Sequence, residues 1–219
     1  MKYRSVFDII GPVMVGPSSS HTAGAARIGR VARHLFGTLP DKVTIYLYGS
    51  FAKTYKGHGT DIALVGGLLD FDTFDDRIVK ALTLAEEMGM EVTFHEEAVE
   101  MEHPNTARLV LEKGDEKLEV VGVSIGGGKI EITELNGYTL RLSGNQPAIF
   151  VVHRDQYGAI AKVADVLAKH EINISYMEVS RRAKGRTALM VIETDQTVSQ
   201  SICEEIKHLP GMLNVVTLD

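Results

Sequence analysis

The chain has 219 residues, 44% of them hydrophobic and 24% charged, with a formal net charge of -6 at pH 7, so it can build one or two compact domains with cores of their own. An acidic balance with 6% aromatic residues argues against nucleic acid as the main partner, and the absence of any apolar run near the roughly 20 residues that cross a bilayer predicts no membrane span. The lone cysteine, Cys203, excludes an internal disulfide and is too few for an iron–sulfur cluster, which normally takes three or four thiolates.

Residues 6–10, Val-Phe-Asp-Ile-Ile, are too short and too acidic for a signal peptide, so a cytoplasmic chain is expected. Residues 16–22, Gly-Pro-Ser-Ser-Ser-His-Thr, set four hydroxyls and an imidazole just before a helical pattern. That helix is marked by Ala25, Ile28, Ala32 and Leu35 and closed by Gly37, with Ser20 or Thr22 as its cap. Unpaired N–H groups and partial positive charge at a helix start suit a carboxylate or phosphate; a plain cap in a Ser-rich turn is the competing reading. A strand is predicted at 42–48 and helices at 60–69 and 75–88, with β-rich sequence following to about 142. Within it Lys113-Gly114-Asp115 reads as a hairpin turn, and Gly126-Gly127-Gly128 separates two further strands. His58 lies between Gly57 and Gly59, ahead of a helix capped by Thr60 or Asp61. His95, His103, His153, His170 and His208 show no metal-ligand spacing and read as structural; Lys53 and Lys56 read as solvated surface.

The turn-rich stretch Ser143-Gly144-Asn145-Gln146-Pro147 divides the chain into domains at 1–144 and 147–219, both mixing helices with strands in an α/β (α+β) chain. The second half has a βαββαβ order: strand 148–153, helix 158–170, strands 172–180 and 186–193, helix 198–208, strand 212–218. Ile160, Val163, Ala164 and Leu167 mark the core face of its first helix, and Ile202, Ile206 and Leu209 that of its second. With His153-Arg154-Asp155-Gln156-Tyr157-Gly158-Ala159-Ile160 and Ile172-Asn173-Ile174, this half resembles the ACT regulatory module, a ferredoxin-like fold. The resemblance implies amino-acid effector binding at Asp155, Gly158 and Asn173, or pairing of chains; Tyr157 stands where many members have Pro.

The first half carries three motifs: residues 16–22, then Tyr48-Gly49-Ser50 through Gly57-His58-Gly59-Thr60-Asp61, then Ser124-Ile125-Gly126-Gly127-Gly128. Together they resemble the β portion of the iron–sulfur L-serine dehydratases, and with the appended ACT module nearly the whole chain resembles a separate β chain. What this implies is removal of water from L-serine to give pyruvate and ammonia, with a [4Fe–4S] cluster held by an α chain. Ser18, Ser19, Ser20 and Thr22 would bind the serine carboxylate or ammonium group, with Gly59, Thr60, Asp61, Gly126 and Gly127 completing the substrate site. His21 or His58 would handle a proton, since imidazole titrates closest to neutral pH. Pairing of β chains through the ACT module and an α2β2 assembly follow from the same resemblance. A purely amino-acid-sensing subunit is the alternative, because an α/β domain followed by an ACT module also resembles the regulatory portion of some phosphoglycerate dehydrogenases. No Gly-x-Gly-x-x-Gly follows a strand, so dehydrogenase activity of this chain alone is not expected.

Overall fold

The computed structural model describes residues 12–218, so the segment on which the signal-peptide expectation rests lies outside the described residues. Two compact units divide at Asn136 and Gly137. In the first, a π-helical turn (Ser19–Ala23) runs into α1 (Gly24–Phe36). Gly37, at φ 82°, ends α1 by donating its N–H to the Arg33 and His34 carbonyls. Next come β1 (Lys42–Tyr48), α2 (Gly49–His58) and α3 (Thr60–Leu68). A 3-10 turn (Asp76–Lys80) leads into α4 (Ala81–Glu87), then β2 (Glu91–Glu97), β3 (Asn105–Lys113), β4 (Glu116–Gly126) and β5 (Lys129–Leu135).

The strand order in this unit is β2-β1-β3-β4-β5. β1 runs parallel to β2, in register Ile45↔Phe94, while β3, β4 and β5 are antiparallel neighbours. Alternate residues Val43, Ile45 and Leu47 of β1, with Leu109 and Leu111 of β3, are fully buried, as alternation predicts for a sheet with one covered face. Helices α1 and α3 bury Ile28, Leu64 and Leu68. They approach through glycines: a Cβ on Gly29 would overlap the Leu64 carbonyl oxygen, and one on Gly67 the Ala26 carbonyl oxygen. Backbone-to-backbone approach of this kind is open only to a residue without a side chain.

The second unit contains β6 (Tyr138–Leu142), β7 (Ala148–Arg154), α5 (Ala159–Lys169), β8 (Ile174–Arg181), β9 (Thr187–Thr194), α6 (Gln200–Lys207) and β10 (Met212–Leu218). Its four-stranded antiparallel sheet has the order β10-β7-β9-β8, the ferredoxin-like arrangement of a βαββαβ chain. Ile149, Val151, Met190 and Ile192 from the sheet pack with Val163, Val166 and Leu167 of α5 and Ile202 and Ile206 of α6. Cys203 is partly buried against that core. No helix among the described residues is long and apolar enough to cross a membrane.

Two local expectations are corrected. Neither Ser20 nor Thr22 caps α1, which follows Ala23 without a side-chain cap; Ser18 caps the preceding π turn, its Oγ accepting from the His21 N–H at 3.1 Å and its carbonyl from Thr22 N–H at 2.8 Å. Residues 49–58, read as a motif with no element of its own, form α2.

Candidate functional site

The site assembles where the first two histidine-bearing motifs meet. The π turn presents His21, whose ring lies edge-on to that of His58, with centroids 4.8 Å apart and planes at 68°. Phe51 of α2, fully buried, closes another side of His21 at 5.3 Å in the same edge-on manner. Both nitrogens of His21 are engaged: Nδ1 lies 3.0 Å from Ser20 Oγ and 3.5 Å from Ser18 Oγ, and Nε2 lies 2.9 Å from Ser50 Oγ. Burial, followed by repulsion from His58, holds His21 below the ordinary imidazole value.

His58 is placed by its backbone rather than its ring. It is the last residue of α2, which Gly59 ends in the left-handed conformation at φ 67°. Thr22 Oγ1, buried in the π turn, donates to the His58 carbonyl at 3.1 Å, tying the two motifs together. The His58 Nδ1 atom is buried without a hydrogen-bond partner, as is Oγ1 of Thr60, the first residue of α3. Orphans of this kind mark places that a ligand or water would satisfy.

The third motif lies beside the start of α1. Gly126, Gly127 and Gly128 have φ of 101°, 62° and 76°, a left-handed run that only glycine adopts without strain. The Gly128 carbonyl accepts from Arg27 Nη1 at 3.0 Å, and a Cβ on Gly128 would sit 3.7 Å from Ala23 Cβ. Ser124 Oγ, also buried and unpartnered, faces Gly24, where any side chain would overlap it.

Several assigned residues have partners inside the chain. Ser18 caps the turn, Ser20 and Ser50 hold His21, Thr22 holds His58, and Asp61 Oδ1 accepts from Ile62 N–H at 2.9 Å. Ser19 begins the π turn. Sequence reasoning placed Ser50 in the second motif without giving it a role, and assigned none to the loop around Pro104. The Pro104 carbonyl accepts from Ser50 N–H at 2.7 Å and Phe51 N–H at 3.4 Å, capping α2 from a distant part of the chain. Thr106 Oγ1 donates to the His103 carbonyl at 2.6 Å, and His103 Nδ1 accepts from Asn105 N–H at 3.2 Å. Burial lowers the His103 imidazole as well.

In the second unit the three expected effector residues do not gather within one protomer. Asp155 follows β7 and accepts from Gly185 N–H at 2.8 Å and Arg181 Nη1 at 3.2 Å, and Gly158 caps α5 at φ 80°. Asn173 precedes β8, at the opposite end of the sheet, and donates to Asp195 Oδ2 at 2.6 Å. The backbone N–H of Gly185 and the Arg181 side chain hold the Asp155 carboxyl below its usual range.

Each of the two units matches a known family. The serine dehydratase beta chain family model matches residues 5–88, and the ACT domain model residues 148–211. The probable L-serine dehydratase, beta chain, of Bacillus subtilis is 60% identical over 100% of this chain and 99% of its own length. The L-serine dehydratase, beta chain, of Peptoniphilus asaccharolyticus is 38% identical over 90% of each. The D-3-phosphoglycerate dehydrogenase of Synechocystis is 24% identical over 89% of this chain but only 35% of its own length. The chain belongs to the serine dehydratase beta chain family.

Proposed function

We propose that this chain is the β subunit of an L-serine dehydratase and supplies the imidazole that moves the substrate's α-proton. L-Serine would lose a proton from Cα and hydroxide from Cβ; the resulting enamine tautomerises to an imine, and water releases pyruvate and ammonia. One observation carries the assignment of roles. Both ring nitrogens of His21 are held by hydroxyls, whereas His58 Nδ1 is buried and unpartnered with its ring against His21. A base needs a nitrogen free to take a proton, so His58 has that role and His21 supports it. Thr60 Oγ1, equally unpartnered, is the hydroxyl assigned to bind substrate, and Ser19, Gly59, Gly126 and Gly127 are assigned as further substrate contacts.

A [4Fe–4S] cluster normally takes three or four thiolates and this chain has one cysteine, so we assign the cluster to an α chain. The work left to this chain is binding, orientation and proton transfer. The family's separate-chain form supports an α partner, and the ACT module supports pairing of β chains. The test is pyruvate release from L-serine by the chain with its cognate α chain: His58→Asn should lower kcat about a hundredfold, in the range typical of lost acid–base catalysis. Undiminished turnover would remove His58 from the mechanism.

The likeness to a dehydrogenase over 35% of that enzyme's length favours a second reading, an amino-acid-sensing subunit. It predicts amino-acid binding by the chain with no loss of α-chain turnover when His58 is replaced.

A further inference from the structure

Among the described residues, the Ser50 hydroxyl is the one hydrogen-bond partner of the His21 ring from outside the Ser-rich turn. It sits 2.9 Å from Nε2, across 29 positions of sequence, while Ser20 sits 3.0 Å from Nδ1. Phe51 and His58 meet the same ring edge-on. The position of Ser50 is itself over-determined. Its N–H donates to the Pro104 carbonyl at 2.7 Å, its carbonyl accepts from Thr54 Oγ1 at 2.8 Å, and Gly49 before it has φ 54° with Pro104 packed where a Cβ would stand. A hydroxyl anchored this firmly does more than fill a hydrogen-bond vacancy. It sets the rotation of the ring between two walls, and the His21 face then sets where the His58 ring can lie.

We propose that Ser50 is a positioning residue for the proton-transfer step: its hydroxyl clamps His21 from the side opposite Ser20, and His21 in turn holds His58 in its working orientation. This rests on the reading that His58 moves the α-proton of L-serine. A serine hydroxyl can donate or accept and so fits either tautomer of a neutral imidazole; what the two clamps on opposite nitrogens fix is the rotation of the ring. Loss of either lets the ring flip or rotate, which a catalytic pair placed for a single geometry does not tolerate.

The experiment uses the full chain assembled with its cognate α chain and compares the wild type with Ser50→Ala and Ser50→Thr. Ser50→Ala should lower kcat about tenfold with KM changed less than twofold, and shift the pH profile of kcat, while Ser50→Thr, which keeps the hydroxyl, restores most of the rate. In parallel, 15N spectra of the histidine rings in this chain alone should show a hydrogen-bonded His21 Nε2 in the wild type and a shifted, broadened Nε2 signal in Ser50→Ala. Unchanged kcat and pH profile in Ser50→Ala, a Thr variant no better than Ala, or identical 15N spectra would overturn the Ser50 assignment alone. A wild-type assembly that leaves L-serine untouched would overturn the reading beneath it, and the proposal with it.

Discussion

Two imidazoles stand at the centre of the first unit, and their surroundings differ in the way that separates a support from a proton carrier. His21 has hydroxyls at both nitrogens, whereas His58 has a buried nitrogen with none. Thr22 Oγ1 links them by holding the His58 carbonyl. Thr22→Val would leave that carbonyl without its donor, and a buried acceptor so orphaned costs about 1–3 kcal/mol. We therefore expect a lower melting temperature together with reduced turnover; a variant with wild-type melting and turnover would show that Thr22 does not hold His58. The two histidine motifs and the glycine run were legible because short stretches carry them: residues 16–22, 57–61 and 126–128. The distribution of roles was not. Which of four hydroxyls caps the turn, and that Ser50 clamps the His21 ring from 29 positions away, is decided by tertiary contact and leaves no local pattern.

At the scale of elements, the sequence spoke clearly wherever periodicity was strong. Helix α1 shows its apolar stripe at Ala25, Ile28, Ala32 and Leu35, all buried, and a glycine stop at Gly37. Helix α2 is the counterexample. It has glycine near both ends and only Phe51 and Ala52 buried, and the Pro104 carbonyl caps its first turn from far along the chain. The effector loop shows the same limit, since the turn residues Asp155 and Gly158 were readable but the separation of Asn173 to the far end of the sheet is a matter of topology. The α1–α3 contact gives the sharpest prediction at this scale. Replacing Gly67 with Ala would add about 1 kcal/mol of helix propensity, yet the new Cβ meets backbone atoms of Ala26 and Arg30, which cannot swing aside. Overpacking of this kind costs typically about 1–3 kcal/mol and should win. Gly67→Ala and Gly29→Ala should each lower the denaturation midpoint; a raised midpoint would mean that the helices separate easily.

For the whole molecule, two properties follow from charge and architecture. His21 and His103 both have folded-state values below the ordinary 6.5, burial being the first cause in each, so the unfolded chain binds more protons than the folded one below that pH. Stability should rise as pH increases from about 5 to about 7, then level off once both imidazoles are neutral in either state; denaturation midpoints across that window check the sign, and a midpoint that fell over it would contradict the buried placement of these rings. Pairing through the second unit predicts a solution mass twice the 24.0 kDa of one chain, read by light scattering; a monomer would leave the ACT module without that role. The central claim is that this chain brings the proton-moving imidazole to an enzyme completed by another chain. The most direct measurement is anaerobic pyruvate release from L-serine by this chain alone, by its cognate α chain alone, by the two together, and by the pair carrying His58→Asn. Turnover only in the wild-type mixture, down about a hundredfold with His58→Asn, is the predicted result; equal turnover by the α chain alone, or by the variant mixture, would contradict it.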